Sequence, residues 1–268
     1  DGKIILVGEF NKNNNDPVGY IARINLDGSL DTTFNASGAG ANNVIQSIAI
    51  LPNGQIIIGG NFTTYNGTSR SRLALLNDDG SLNNASLTVG VNNFVTDIKV
   101  APNGKVYIGG NFTYYAGVAR QKIFCLNPDL TINNSGIGSL SLGSGTIYTI
   151  GVQGNNKIIV SGTFTTYGGV NQPSIFRIDT TGATDSTFQK GTGFPSSSNY
   201  ARAITFQKDG KILISGNTSV YNGVTKGCYF RLNADGSFTY MPTTNYFGTD
   251  SFQYRVCDNG TPLPSLCD

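Results

Sequence analysis

Asn103-Gly104-Lys105-Val106-Tyr107-Ile108-Gly109-Gly110-Asn111-Phe112 is the stretch whose reading decides the fold. It runs from a turn dipeptide through an apolar segment to a glycine pair and Asn-Phe. The pattern occurs five times, beginning at Asp1, Asn53, Asn103, Asn155 and Asp209, at spacings of 52, 50, 52 and 54 residues. Asn-Gly accepts positive φ at both central positions of a two-residue hairpin turn. The runs Ile56-Ile57-Ile58, Val106-Tyr107-Ile108, Ile158-Ile159-Val160 and Ile212-Leu213-Ile214 are apolar without alternation, so both faces of such a strand should be covered. A period this long exceeds a solenoid coil of one or two strands and suits a four-stranded propeller blade.

Each repeat divides outward from this stretch. A leading strand precedes the turn (residues 44–50, 94–100, 147–152 and 201–206). A loop with a Tyr follows the glycines. A third strand comes next (Ile21-Ala22-Arg23-Ile24 and its four counterparts), then a turn such as Leu26-Asp27-Gly28-Ser29 and a short fourth strand. The expectation is an all-β, five-bladed β-propeller of ~50-residue, four-stranded blades over residues 1–236.

Composition agrees. The 268 residues suffice for a real core, and 35 Gly and 30 Asn serve turns between short strands. A net charge of +2 provides no basic field for nucleic acid. No apolar run approaches the ~20 residues that span a bilayer. Without any His, the commonest general base and metal ligand is missing. The start at Asp1, without Met, and the stop at Asp268 lead us to expect a segment of a longer polypeptide.

The motifs DGKIILVGEF, IARINLDGSLDTTFN and VIQSIAILPNGQIIIGGNFTTYNG resemble the delta-60 repeat, a β-propeller family of bacterial exported proteins. The resemblance covers about residues 1–236 and implies a propeller placed outside the cell. It implies no activity and supplies no catalytic residues. Residues 228–268 carry a second resemblance, in Asp235-Gly236-Ser237-Phe238-Thr239-Tyr240 and Gly248-Thr249-Asp250-Ser251-Phe252, to bacterial cadherin-like or Ig-like adhesin repeats.

Two readings of the tail, 237–268, stay open. It is a partial Ig-like module, or it supplies the leading strand that the first repeat lacks. From Gly28 to Val44 is 16 residues, from Gly80 to Val95 is 15, and from Gly236 to Phe252 is 16. Phe252–Val256 therefore stands in register to pair beside Ile4–Val7 and close the ring, which would cover an otherwise open edge.

Candidate sites are few. The acids sit mainly in Asp-Gly turns (Asp27, Asp79, Asp209, Asp235), while Asp97 is isolated, so no catalytic pair emerges. No loop has the ligand alternation of a Ca²⁺ site, and neither metal nor cofactor is expected. Tyr65, Tyr115, Tyr167 and Tyr221 recur at one blade position, with Arg70, Arg120 or Lys226 five residues on. They form either repeated glycan sites, with a ring face for the sugar, or repeated packing between blades. Cys125 and Cys228 read as small buried hydrophobes. If the chain is exported, as the resemblance implies, Cys257 and Cys267 could close a disulfide loop. The segments at Thr32, Thr180 and Ser186 resemble O-glycosylation sites of Bacteroidetes exported proteins. The expected function is a non-enzymatic, extracellular, adhesin-like bacterial module facing a surface protein or a glycan. A lectin with repeated sugar sites, or a polysaccharide hydrolase or lyase, is the alternative.

Overall fold

A computed structural model describes residues 2–13, 16–36, 38–134, 136–137, 142–172, 174–217, 220–225 and 228–238. The described residues form an all-β structure of small antiparallel sheets. Five of these follow the repeat. The second has four strands, Ile45–Ile50, Ile56–Gly60, Leu73–Leu76 and Leu82–Asn83. In the third, Val95–Val100, Val106–Gly110 and Ile123–Leu126 pair in that order. The fourth (Ile147–Val152, Ile158–Gly162, Ile175–Ile178) and the fifth (Ala201–Phe206, Ile212–Gly216, Tyr229–Leu232) repeat the arrangement. The first sheet pairs Ile4–Val7 with Ile21–Ile24.

Among the described residues, only the second sheet carries the expected fourth strand. In the first, third and fourth it shrinks to one bridge, at Ile24↔Leu30, Leu126↔Ile132 and Ile178↔Thr184. The cause is local. At Asp31 and Asp185 one more backbone bond forms, to Arg23 O and Arg177 O at 2.8 Å. The carboxylate of each Asp then accepts from the backbone N–H two residues on, Thr33 or Thr187, at 3.0 Å, and turns the chain out of the sheet.

The loop after the glycine pair is itself a hairpin. Thr64–Tyr65 pairs with Thr68–Ser69 around Asn66-Gly67, both at positive φ (47° and 74°). Ala116-Gly117, Gly168-Gly169 and Asn222-Gly223 take the same turn.

Sheets pack face against face. Ile57 and Leu75 join Val95, Ile98, Val106 and Ile108 in one core cluster, while their strand neighbours Ile56, Ile58, Ala74 and Leu76 pack against Ile21, Ile5 and Val7 in another. The middle strand is thus covered on both sides, which explains its unbroken apolar run.

The glycine pair is explained by two different contacts. A Cβ on Gly59 would lie 2.5 Å from Val95 Cγ1, and one on Gly109 2.8 Å from Ile147 Cγ2, so the first glycine is a hollow filled by the next sheet. A Cβ on Gly60, Gly110, Gly162 or Gly216 would lie 2.0–2.2 Å from the carbonyl oxygen of Val44, Phe94, Thr146 or Tyr200. Here the obstacle is backbone of the leading strand of the same sheet. Side chains can yield and backbone cannot, which fits Ser161 and Ser215 at the first position and glycine in every repeat at the second.

Candidate functional site

Tyr65, Tyr167 and Tyr221 lie in the core at 0–1% exposure. The hydroxyls of Tyr65 and Tyr167 donate to the carbonyls of Gly80 and Gly182 at 2.7 Å. Tyr167 stacks on Phe176 at 4.7 Å, and half-buried Tyr115 on Phe124 at 4.4 Å. Burial raises these phenols, Tyr167 to about 12. Rings so enclosed as Tyr65, Tyr167 and Tyr221 offer no face to a sugar.

Arg70 donates to Ser69 O and Asn84 Oδ1, and Arg120 to Ala119 O and Asn134 Oδ1, so both staple their own blade. Lys226, Cys257 and Cys267 lie outside the described residues. Cys125 is buried, and burial pushes its thiol up to about 11. Cys228 is exposed, contrary to expectation: it ends on the rim just before the strand Tyr229–Leu232 instead of inside it.

Thr32 and Ser186 are exposed and Thr180 half-buried. The first two occupy the turns made by Asp31 and Asp185. Each of those carboxylates accepts from an arginine on the third strand (Arg23 at 2.7 Å, Arg177 at 2.8 Å) and from a lysine (Lys3, Lys157) at 2.7 Å. The Asp-X-Thr-Phe motif thus has a structural task. Its Phe34 or Phe188 also lies against the turn glycine Gly80 or Gly236 of the following sheet.

The arrangement that points toward binding lies in the leading strands. Each has a bulge at its second residue, where the register shifts between 45/47, 95/97, 147/149 and 201/203. A bulge leaves its extra residue outside the ladder and re-aims the side chain. The four bulged residues are Gln46, Thr96, Tyr148 and Arg202. Together with Asn61 and Phe94 they line an open cleft of about 380 Å³.

Its floor is fixed. Thr96 Oγ1 donates to Ile147 O at 2.6 Å, joining two sheets, with Gly109 O at 3.1 Å as a second acceptor. Tyr148 and Tyr200 stack at 4.3 Å, 12° from parallel. The Arg202 guanidinium lies 5.8 and 5.5 Å from the two ring centres and donates to Tyr200 OH at 3.2 Å. Burial, then the neighbouring Tyr200, raises the Tyr148 phenol, so it stays neutral at physiological pH.

Behind the cleft, Asp97 ties three sheets together. Its Oδ1 accepts from Ser47 Oγ (3.2 Å), Ile98 N (2.9 Å) and Lys99 Nζ (2.8 Å), and its Oδ2 from Thr149 Oγ1 (3.3 Å) and Ile150 N (2.8 Å). Sequence reasoning treated Asp97 as isolated and passed over the cleft. The usable signal was one column of the aligned repeats: Gln, Thr, Tyr and Arg inside strands that are otherwise mostly apolar. Among the described residues, no three His, Cys, Asp or Glu side chains gather as metal ligands would.

Comparison with known proteins places this geometry. No curated protein matches the chain. Among solved structures, it resembles the extracellular domain assigned to a hybrid two component system of B. thetaiotaomicron, with 17% identity and a TM-score of 0.47, over 80% of this chain and 24% of that one. It also resembles PorZ, a surface component of the type-IX secretion system of Porphyromonas gingivalis, with 14% identity and a TM-score of 0.45, over 78% of this chain and 28% of that one. This chain thus spans about a quarter of the length of either. Residues 171–262 match a family described as bacterial Ig domain. Its first part, up to Ser237, falls on residues that here build the third strand of the fourth sheet and all of the fifth. Residues 1–34, 51–85, 101–135 and 153–188 match the family described as "Domain of unknown function (DUF5122) beta-propeller", and the chain belongs to that family.

Proposed function

We propose that this chain is a non-enzymatic β-propeller module of a longer bacterial surface or secreted protein, and that it contacts a protein or glycan partner through the bulged-strand cleft. The observation that carries the reading is convergence: four sheets each send one differently functional side chain, Gln46, Thr96, Tyr148 and Arg202, into one opening. Such a cleft fits recognition. The described residues that line it include no carboxylate, whereas a glycoside hydrolase works with a pair of them. The bacterial Ig match supports a place outside the cell in an adhesin-like protein. Binding of the whole chain to an array of glycans and surface proteins, repeated with Arg202→Ala, tests this. Binding should be lost at unchanged melting temperature. Release of new reducing ends from a polysaccharide would overturn the non-enzymatic reading.

The architecture we propose has five blades over 1–236, with the first blade's leading strand expected from Phe252–Val256, which lies outside the described residues. Gly8 supports it. In the other four repeats the second glycine is demanded by the carbonyl of a leading strand, yet among the described residues a Cβ on Gly8 would meet nothing nearer than Phe10 at 3.5 Å. Ile4 and Leu6 of the same strand are 56% and 44% exposed. A leading strand docked there would account for both. Gly8→Ala, with Gly60→Ala as reference, decides between a filled and an empty slot. A filled slot gives a loss of about 1–3 kcal/mol in each. A change within about 0.5 kcal/mol for Gly8→Ala means that the slot is empty.

A further inference from the structure

Arg202 is exposed at the cleft, and among the described residues no carboxylate pairs with it. Its guanidinium donates to the Tyr200 hydroxyl at 3.2 Å. Of the three arginines on third strands, Arg23 and Arg177 are each bound to an aspartate, and Arg231 donates to Gln207 Oε1 at 3.4 Å. Among the described residues Arg202 thus has no carboxylate partner, and its guanidinium presents a fork suited to a planar oxyanion.

The guanidinium is nearly equidistant from the Tyr148 and Tyr200 ring centres. It must therefore stand beside the stacked pair rather than over either face. One face of Tyr148 is covered by Tyr200, and the half-buried ring lines the cleft. Phe94 adds a second apolar surface, and the side chains of Gln46 and Asn61 contribute donors and acceptors at the same opening. A forked cation, a ring face and two amides match a ligand with a carboxylate, an apolar ring face and hydroxyls.

We propose that the bulged-strand cleft binds an acidic saccharide of the uronic acid type, its carboxylate held by Arg202 and its ring laid on Tyr148. This rests on the contact-module reading above and names its ligand class. The probes are oligogalacturonate, the neutral oligogalactoside of equal length and oligoglutamate, titrated calorimetrically into the whole chain.

Oligogalacturonate should bind at least about tenfold more tightly than either other probe, and more weakly as ionic strength rises. Arg202→Gln should cost about tenfold or more, Arg202→Lys less, because the charge stays and only the fork is lost. Tyr148→Leu should weaken all sugar binding. Thermal melts identify any variant that fails to fold, and the exposed Arg202 pair then decides alone. Equal binding of the neutral sugar, equal or tighter binding of oligoglutamate, or no binding of oligogalacturonate overturns the proposal. If array ligands of another class still depend on Arg202, the contact-module reading survives that result. If they are indifferent to it, the reading falls as well.

Discussion

Asp97 shows how much one buried side chain can organise. It is 6% exposed and accepts from groups on the leading strands of the second, third and fourth sheets. Removing it would strand the Ile150 N–H, and Ser47 and Thr149 would lose their acceptor. Asp97→Ala should therefore cost about 2–4 kcal/mol, since each buried group left unpaired costs about 1–3 kcal/mol. A urea titration checks this, and a loss below about 1 kcal/mol would sink the account. The opposite case is Ala116. It holds φ at 48°, where the equivalent residues are Asn66, Gly168 and Asn222, and it is exposed. Ala116→Asn should stabilise by about 0.5–1 kcal/mol, because the Asn side chain hydrogen-bonds locally and so tolerates the left-handed region better than Ala. The midpoint of thermal unfolding should rise accordingly.

At the scale of elements, legibility followed from locality. The turn, the apolar run and the glycine pair lie within ten residues of one another, and each has a local reason, so the strand order could be read from sequence. The fourth strand was over-read: its apolar residues look like a strand, but in the first, third and fourth sheets a single bridge forms. The Tyr hairpin was taken for a loop, although Asn66 and Gly67 both take positive φ; at the turn one strand earlier, where the two-residue primed turn was expected, Gly54 does and Asn53 does not, and five residues separate the paired Ile50 and Ile56. The cleft stayed hidden for a different reason. Gln46, Thr96, Tyr148 and Arg202 stand about fifty residues apart, and none is unusual on its own strand. What singles them out is a bulge, and a bulge is a property of pairing rather than of composition.

At the scale of the molecule, acid is the natural stress. Hydrogen bonds from serine, threonine or lysine hold Asp27, Asp79, Asp129, Asp179, Asp209 and Asp235 below the usual carboxylate range. For Asp31, Lys3 and Thr33 do so. For Asp185, burial pushes upward, but the Lys157 and Thr187 hydrogen bonds and the Arg177 charge outweigh it. A carboxyl depressed in the folded state contributes stability above its unfolded value of about 4 and loses it as pH falls through the folded value. The melting temperature should thus be nearly flat between about pH 5 and 8, the more so because the chain has no His, and should fall steeply below about pH 4. Asp185→Asn should make that fall shallower while lowering stability at neutral pH. An acid limb unchanged by the substitution would contradict the assignment.

The hollow above Gly59 or Gly109, filled from the sheet that follows, gives the stacking a direction. The third sheet receives Ile147 at Gly109 and inserts Val95 at Gly59, so the contact is heterologous and runs head to tail. Contacts of this kind either close on themselves or continue without limit. A chain ending at Ser237 would lack the segment proposed to close it, and its first sheet would keep an open edge toward solvent. Such a truncated chain should add to copies of itself and grow into linear polymers as concentration rises. Light scattering should report that growth, while the whole chain keeps one size at every concentration.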